Sequence, residues 1–210
     1  LLVADCAWPS QSEAYSFIRS RTAEVWEVVS GRHVGSFTNL ASGNGRAPIA
    51  VSTDGRMIAG ETFDGRAKVV RLGSTEEMIF PLGTKTHLTQ VAFSPDGKLL
   101  ATSSYEGEAR LWDVQTGQLR HHLSGHKQGV FCVTFSPDGR TLVSGSKKGD
   151  VKFWNVATGR ELLSVRLSAP EDVWRAMFSP DGRTLVLQNT RHILRAPTMA
   201  EIGALEAVKR

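Results

Sequence analysis

No apolar run in this sequence is long enough to cross a bilayer. The longest are a few residues, against the ~20 that a spanning helix needs. The start lacks the basic, apolar and small-residue succession that directs export. It opens LLVADC, without Met, which points to a start further upstream and leaves any export signal open. Cysteine is scarce. Cys6 and Cys132 each sit in a β-like apolar run, VADCAW and VFCVTF, and read as small buried hydrophobes. A disulfide would need two strands far apart in the array to bring their Cα atoms within about 7 Å. A reducing, cytoplasmic compartment fits best.

Catalytic motifs are missing too. There is no G-x-x-x-x-G-K-[ST], no H-E-x-x-H, no C-x-x-C and no G-x-S-x-G. The GNG at Gly43–Gly45 has no third glycine of a dinucleotide loop. His121 and His122 are adjacent, so on a strand they face opposite ways and do not share one ion. The net charge is +4, but the only adjacent basic pairs are Lys147-Lys148 and Lys209-Arg210. No basic stripe with interleaved aromatics exists for nucleic acid, and the charge serves mainly solubility. No cofactor, metal, nucleic acid or membrane partner is expected.

What is present is repetition. FSPDGKLLATSSYEGEARLW (Phe93–Trp112), FSPDGRTLVSGSKKGDVKFW (Phe135–Trp154) and FSPDGRTLVLQNTRHIL (Phe178–Leu194) say nearly the same thing. The residue before each turn recurs at Trp8, Val51, Phe93, Phe135 and Phe178, with gaps of 43, 42, 42 and 43. A downstream marker recurs at Trp26, Val70, Trp112 and Trp154, with gaps of 44, 42 and 42. A fixed period of this size signals a repeat architecture.

Each unit reads as four short antiparallel strands. VFCVTF is β-branched and aromatic. SPDG supplies turn chemistry, with Pro second and Gly fourth. RTLVSGS, VKFWNV and ELLSVRL follow, separated by KKGD and ATGR. Both faces of these strands carry apolar residues (Leu142 and Val143, Phe153 and Trp154), so each sheet must be covered on both sides. The neighbouring repeat is the natural cover. A lone 42-residue unit would be marginal.

Units of this length with a Trp-Asp dipeptide resemble the WD-repeat β-propeller family. Trp112-Asp113 is the dipeptide; Trp154-Asn155 and Trp26-Glu27 are near forms, and Gly125-His126 matches the family's Gly-His pair. The resemblance implies an all-β WD40-type propeller of five four-stranded blades, the last incomplete, as an open arc or part of a larger propeller. The repeats run over about 1–41, 42–83, 84–125, 126–168 and 169–197. It also implies a buried tetrad of His, Ser/Thr, Asp and Trp in each blade. Repeat four offers His126, Ser144 and Trp154, with Lys148 where Asp is expected. Repeat three offers Thr102 and Trp112, with Glu106 at the Asp position and Thr84 at the His position. Repeat two keeps Asp64, but has Val70 and Gly60. By this reading no tetrad is complete.

Repeat five is shorter. Asp181 to Leu194 is 13 residues, against 16 from Asp138 to Trp154. A capping box at Thr198 and Glu201, followed by Ile202, Leu205 and Val208, predicts a short C-terminal helix near 199–209, within 198–210. The last blade then lacks its fourth strand, and no closing strand precedes repeat one, so the chain reads as the C-terminal part of a larger propeller.

The SPDG aspartates Asp96, Asp138 and Asp181 read as turn residues bonded to their own backbone. In the family the loops before the first strand and between the second and third strands share one end, where partners dock. Phe63, Tyr105 and Lys147 fall at equivalent positions of the second loop. Phe131 and Trp174 fall in the first, where repeat three has Thr89. With Lys127 and Lys148 they make a candidate docking surface, unless Phe131 and Trp174 merely pack against a neighbouring blade. The expected function is a non-catalytic scaffold for a partner protein or another domain of the parent chain. The ending ILRAPT…AEI resembles bacterial WD-repeat proteins, whose arrays often follow a signalling domain. The alternative is a propeller enzyme using the central channel, but Ala4, Ala47, Thr89, Phe131 and Trp174 there are poor in catalytic groups.

Overall fold

A computed structural model of the chain describes residues 2–5, 21–26, 30–40, 48–62, 65–74, 76–81, 87–168, 171–188 and 192–195. They form five antiparallel sheets, each a simple meander. The first holds β1 (Leu2–Asp5), β2 (Arg21–Trp26) and β3 (His33–Leu40). The second holds β4 (Ile49–Val51), β5 (Met57–Glu61), β6 (Ala67–Arg71) and β7 (Glu77–Phe80). The third holds β8 (Leu88–Phe93), β9 (Leu99–Ser104), β10 (Ala109–Asp113) and β11 (Leu119–Leu123). The fourth holds β12 (Val130–Phe135), β13 (Thr141–Ser146), β14 (Asp150–Asn155) and β15 (Glu161–Arg166). The fifth holds β16 (Arg175–Phe178), β17 (Thr184–Gln188) and β18 (His192–Arg195).

The strands exist because the turns between them are strongly specified. In all four described copies of the first turn, a Ser hydroxyl donates to the Asp two residues on: Ser52 to Asp54, Ser94 to Asp96 and Ser136 to Asp138 at 2.6 Å, Ser179 to Asp181 at 2.5 Å. The same carboxylate accepts the backbone N–H of the next Arg or Lys but one, as Asp138 does from Arg140 at 3.1 Å. These bonds hold each carboxyl below the usual range, the Ser hydroxyl contributing most. The closing glycine lies in the left-handed region, with φ +70° at Gly97 and +71° at Gly139, where a side chain would be strained. The aspartates are turn caps. Asp113 acts likewise in the turn after the third strand, accepting from Gln115 and Thr116. Asn155 replaces it in the fourth sheet, accepting from Thr158.

Between the turns, alternate residues feed two different cores. On β13, Leu142 packs with Ala101, Leu111 and Trp154 toward the third sheet. Its neighbour Val143 packs with Val173, Ala176 and Leu185 toward the fifth. Trp112 and Leu100 likewise meet Met57, Val69 and Phe80 of the second sheet, with Phe80 edge-on to Trp112. The sheets therefore stack side by side, and first strands β4, β8, β12 and β16 touch in succession. Polar bonds add to the inner seam. Gln90 accepts from Val133 N–H at 3.3 Å, and Thr89 donates to the Val130 carbonyl at 2.5 Å.

Packing at the seam leaves little slack. A Cβ on Gly145 would lie 2.6 Å from Val173 Cγ1 and 2.7 Å from Cys132 Sγ. Gly145→Ala is expected to lower stability by about 2 kcal/mol through overpacking, read as a shift of the urea midpoint. Adding Val173→Ala should recover part of the loss; equal midpoints for the wild type and Gly145→Ala would refute the close packing.

The N-terminal end departs from the spacing. The period implies a first strand ending at Trp8. The register instead sets Leu2 opposite Trp26 and Asp5 opposite Ala23, as Leu100 sits opposite Trp112 and Ser103 opposite Ala109. LVAD thus occupies the second-strand position, as LATS (100–103) does in the third sheet. Among the described residues the first and fifth sheets each have three strands, and the sheets are not closed into a ring. The helix expected over 199–209 lies outside the described residues, as do Cys6, Trp8, Ala47, Phe63, Asp64 and Thr84.

Candidate functional site

Two constellations stand out, one buried and one exposed. The buried one is a hydrogen-bonded relay inside the fourth sheet. Trp154 Nε1 donates to Ser144 Oγ at 2.8 Å. Ser144 Oγ lies 2.6 Å from His126 Nε2, and His126 Nδ1 lies 2.7 Å from Asp150 Oδ2. Burial holds the imidazole below its usual pKa, against the raising effect of Asp150. A neutral ring satisfies every partner when Ser144 donates to Nε2 and Nδ1–H donates to Asp150.

The relay corrects the sequence reading, in which Lys148 takes the carboxylate's place and the tetrad is broken. Lys148 sits in the turn with φ 58° and is exposed. The carboxylate comes two residues later, from Asp150 at the start of β14. Strand alternation from Trp154 puts Lys152 and Asp150 on the same face, and that signal was present in the sequence. The third sheet follows suit. Trp112 Nε1 donates to Thr102 Oγ1 at 3.0 Å, and the residue equivalent to Asp150 is Glu108, not Glu106.

Ser144, His126 and Asp150 have the spacing of a hydrolytic triad, but not its access. Ser144 is 0% exposed, and its oxygen already accepts the Trp154 N–H, so no acyl group can reach it. His121 and His122 part company as strand neighbours should: His121 Nε2 meets the Ala157 carbonyl at 3.1 Å, and His122 lies 3.7 Å from Glu108. Among the described residues no three His, Cys, Asp or Glu side chains cluster closely enough to hold a metal ion. The Cys132 thiol is free, and burial pushes its pKa up to about 12.

The exposed constellation lies where the loops before the first strands meet those after the second. Backbone bonds join these loops: Tyr105 N–H to the His87 carbonyl at 3.3 Å, Lys147 N–H to Gly129 at 3.2 Å and Val173 N–H to Ser146 at 3.2 Å. Lys148 N–H donates to Asp172 at 3.1 Å. Three aromatics line up across three sheets as a result. Trp174 stacks on Phe131 with ring centroids 4.3 Å apart and planes within 10°. Tyr105 meets Phe131 edge-on, with ring centroids 5.6 Å apart. Lys147 Nζ stands 5.8 Å over the Phe131 ring.

Burial divides their roles. Phe131 is 4% exposed and forms the filling, whereas Tyr105 is 43% and Trp174 40% exposed. Packing between blades and outward display are thus shared among these rings. Lys127 and Lys148 are exposed on the same two loops. Ala4, with β1 in the second-strand position, is not at a lead-in.

An arc of stacked meander sheets, each drying its neighbour, is a β-propeller-like repeat array. Residues 79–113 and 117–155 match the WD40 family model, described as WD domain, G-beta repeat, and these matches support a WD40-repeat family assignment. Each match runs from an outer strand, β7 or β11, to the third strand of the next sheet. No curated protein matches the chain. WD40 repeats generally serve as protein-interaction scaffolds, and WD40 domains are typically non-catalytic. No helix among the described residues is long and apolar enough to cross a membrane.

Proposed function

We propose that this chain is a non-catalytic scaffold that docks a protein, or another domain of its parent chain, on the Tyr105–Phe131–Trp174 ladder. One observation carries the reading: two half-exposed aromatics are braced against a buried third. Large side chains held rigid before binding lose little entropy on contact, which is the profile of an interface anchor. Lys127, Lys147 and Lys148 supply a basic rim around them, which favours a partner bearing acidic groups.

A photo-reactive amino acid at position 174, with a control at Lys98 on the opposite turns, tests this. Cross-linked protein is expected at 174 and not at 98. Trp174→Ala should weaken capture of that protein at least tenfold, and Lys147→Glu should weaken it less and in a salt-dependent way. Capture unchanged in both variants would remove the ladder as a docking site.

A further inference from the structure

At the turn end of two seams, the first residue of the second strand fills the space beneath the next sheet. Met57 is 8% exposed, and its Cε lies 3.2 Å from where a Cβ on Gly97 would stand, in the first turn of the third sheet. Leu99 packs against the core shared by the third and fourth sheets. At the next seam the same position is Thr141, which is shorter and polar. Here a groove of about 540 Å³ opens between the fourth and fifth sheets, within the ~300–1,000 Å³ of ligand sites. Phe153 and Phe178 line it. Phe153 is half-buried, whereas Val69 and Leu111 at its equivalent positions are buried. Pro137 and Pro180 form walls on the two adjoining turns.

Two carboxylates complete the lining, Asp138 and Asp181. In each, the Ser hydroxyl and the backbone N–H two residues on both fall on Oδ1, so Oδ2 is the oxygen left for a ligand. The Arg140 and Arg183 side chains are exposed and do not line the groove. We propose that the groove takes an arginine side chain from a partner protein. Its methylene stem covers the apolar floor, and its planar cation stacks on the Phe rings while it forks to carboxylate oxygen. A lysine ammonium offers neither the plane nor the fork. The site lies at the opposite ends of the strands from the aromatic ladder and does not depend on it.

The test follows backbone amide shifts of the 210-residue chain by NMR as a capped pentapeptide, with Arg between two Leu, is added. Shifts are expected over 136–141 and 178–182 and not on the ladder. The same peptide with citrulline, which keeps the shape without the charge, should bind about tenfold more weakly, and with Lys about threefold. Asp138→Asn with Asp181→Asn keeps an amide oxygen for each turn. This double variant should lose about tenfold for the arginine peptide and nothing for the citrulline one. Thr141→Leu restores the residue found at Leu99; it should weaken both peptides about fivefold by filling the groove, without lowering the urea midpoint. Shifts centred elsewhere, equal binding of the arginine and citrulline peptides, or a double variant that binds like the wild type would each overturn the proposal. A lysine peptide as tight as the arginine one would overturn the choice of arginine.

Discussion

Trp154→Ala is expected to lower the stability of this chain by about 4 kcal/mol, the largest loss of any single substitution considered. The indole is 2% exposed and joins the core between the third and fourth sheets to the relay. Its removal leaves a cavity among Ala101, Leu111 and Leu142 and takes away the donor to Ser144. Asp150→Ala is expected to cost about 2 kcal/mol, because it strands the His126 Nδ1–H inside the sheet. Lys148→Ala should cost less than about 0.5 kcal/mol, as an exposed side chain outside the relay. Urea midpoints at neutral pH measure all three. A costly Lys148→Ala beside a silent Asp150→Ala would mean that the carboxylate is wrongly assigned.

Stability is also expected to fall as pH rises from about 4.5 to 7, by up to about 3 kcal/mol, through Glu61 alone. This carboxylate is 2% exposed at the seam of the second and third sheets. It accepts the Leu88 N–H at 3.0 Å, with His87 Nδ1 3.7 Å away. Burial pushes its pKa up from 4.5 to about 7, outweighing the Leu88 bond and the nearby imidazole, while Glu106 pushes the same way. The folded state therefore keeps a proton that the unfolded state releases through this window, and rising pH favours unfolding. Above about pH 7 the loss is complete. Buried His126 acts in the opposite sense, losing stability as pH falls below about 6.5. The Glu61 contribution is thus read as the difference between the wild type and Glu61→Gln, measured by urea unfolding from pH 4.5 to 8. The variant should gain on the wild type as pH rises, since its uncharged amide keeps an oxygen that accepts from Leu88. A constant difference would show that Glu61 is ionised throughout.

The sheets and their turns were legible because their causes are local. Ser, Pro, Asp and Gly at 136–139 close a turn by contacts within five residues, and the same four letters recur with the same bonds at 179–182. Two-faced burial was legible too, in Leu142 beside Val143. Trp8 misled because a matching interval shows only that an apolar residue stands in place. Strand position is decided by pairing, and Leu2 opposite Trp26 is a hydrogen-bond register, not an interval. Asp150 was missed for a related reason. Family spacing through the turn at 147–149, where Lys148 adopts a left-handed conformation, points to Lys148, whereas strand alternation back from Trp154 points to Asp150.

By itself the sequence determined the β class, the repeat length, the turn chemistry and the family, since each follows from residues near one another in the chain. Only the tertiary structure decided which carboxylate completes the relay, that Phe131 is the buried rung between Tyr105 and Trp174, and that Glu61 is shut away from water. It alone also decided that Met177, Val186 and Ile193, exposed among the described residues, are cross-strand neighbours on the fifth sheet. These properties arise between sheets 42 residues apart, where contact depends on how alternate side chains from separate repeats meet in space.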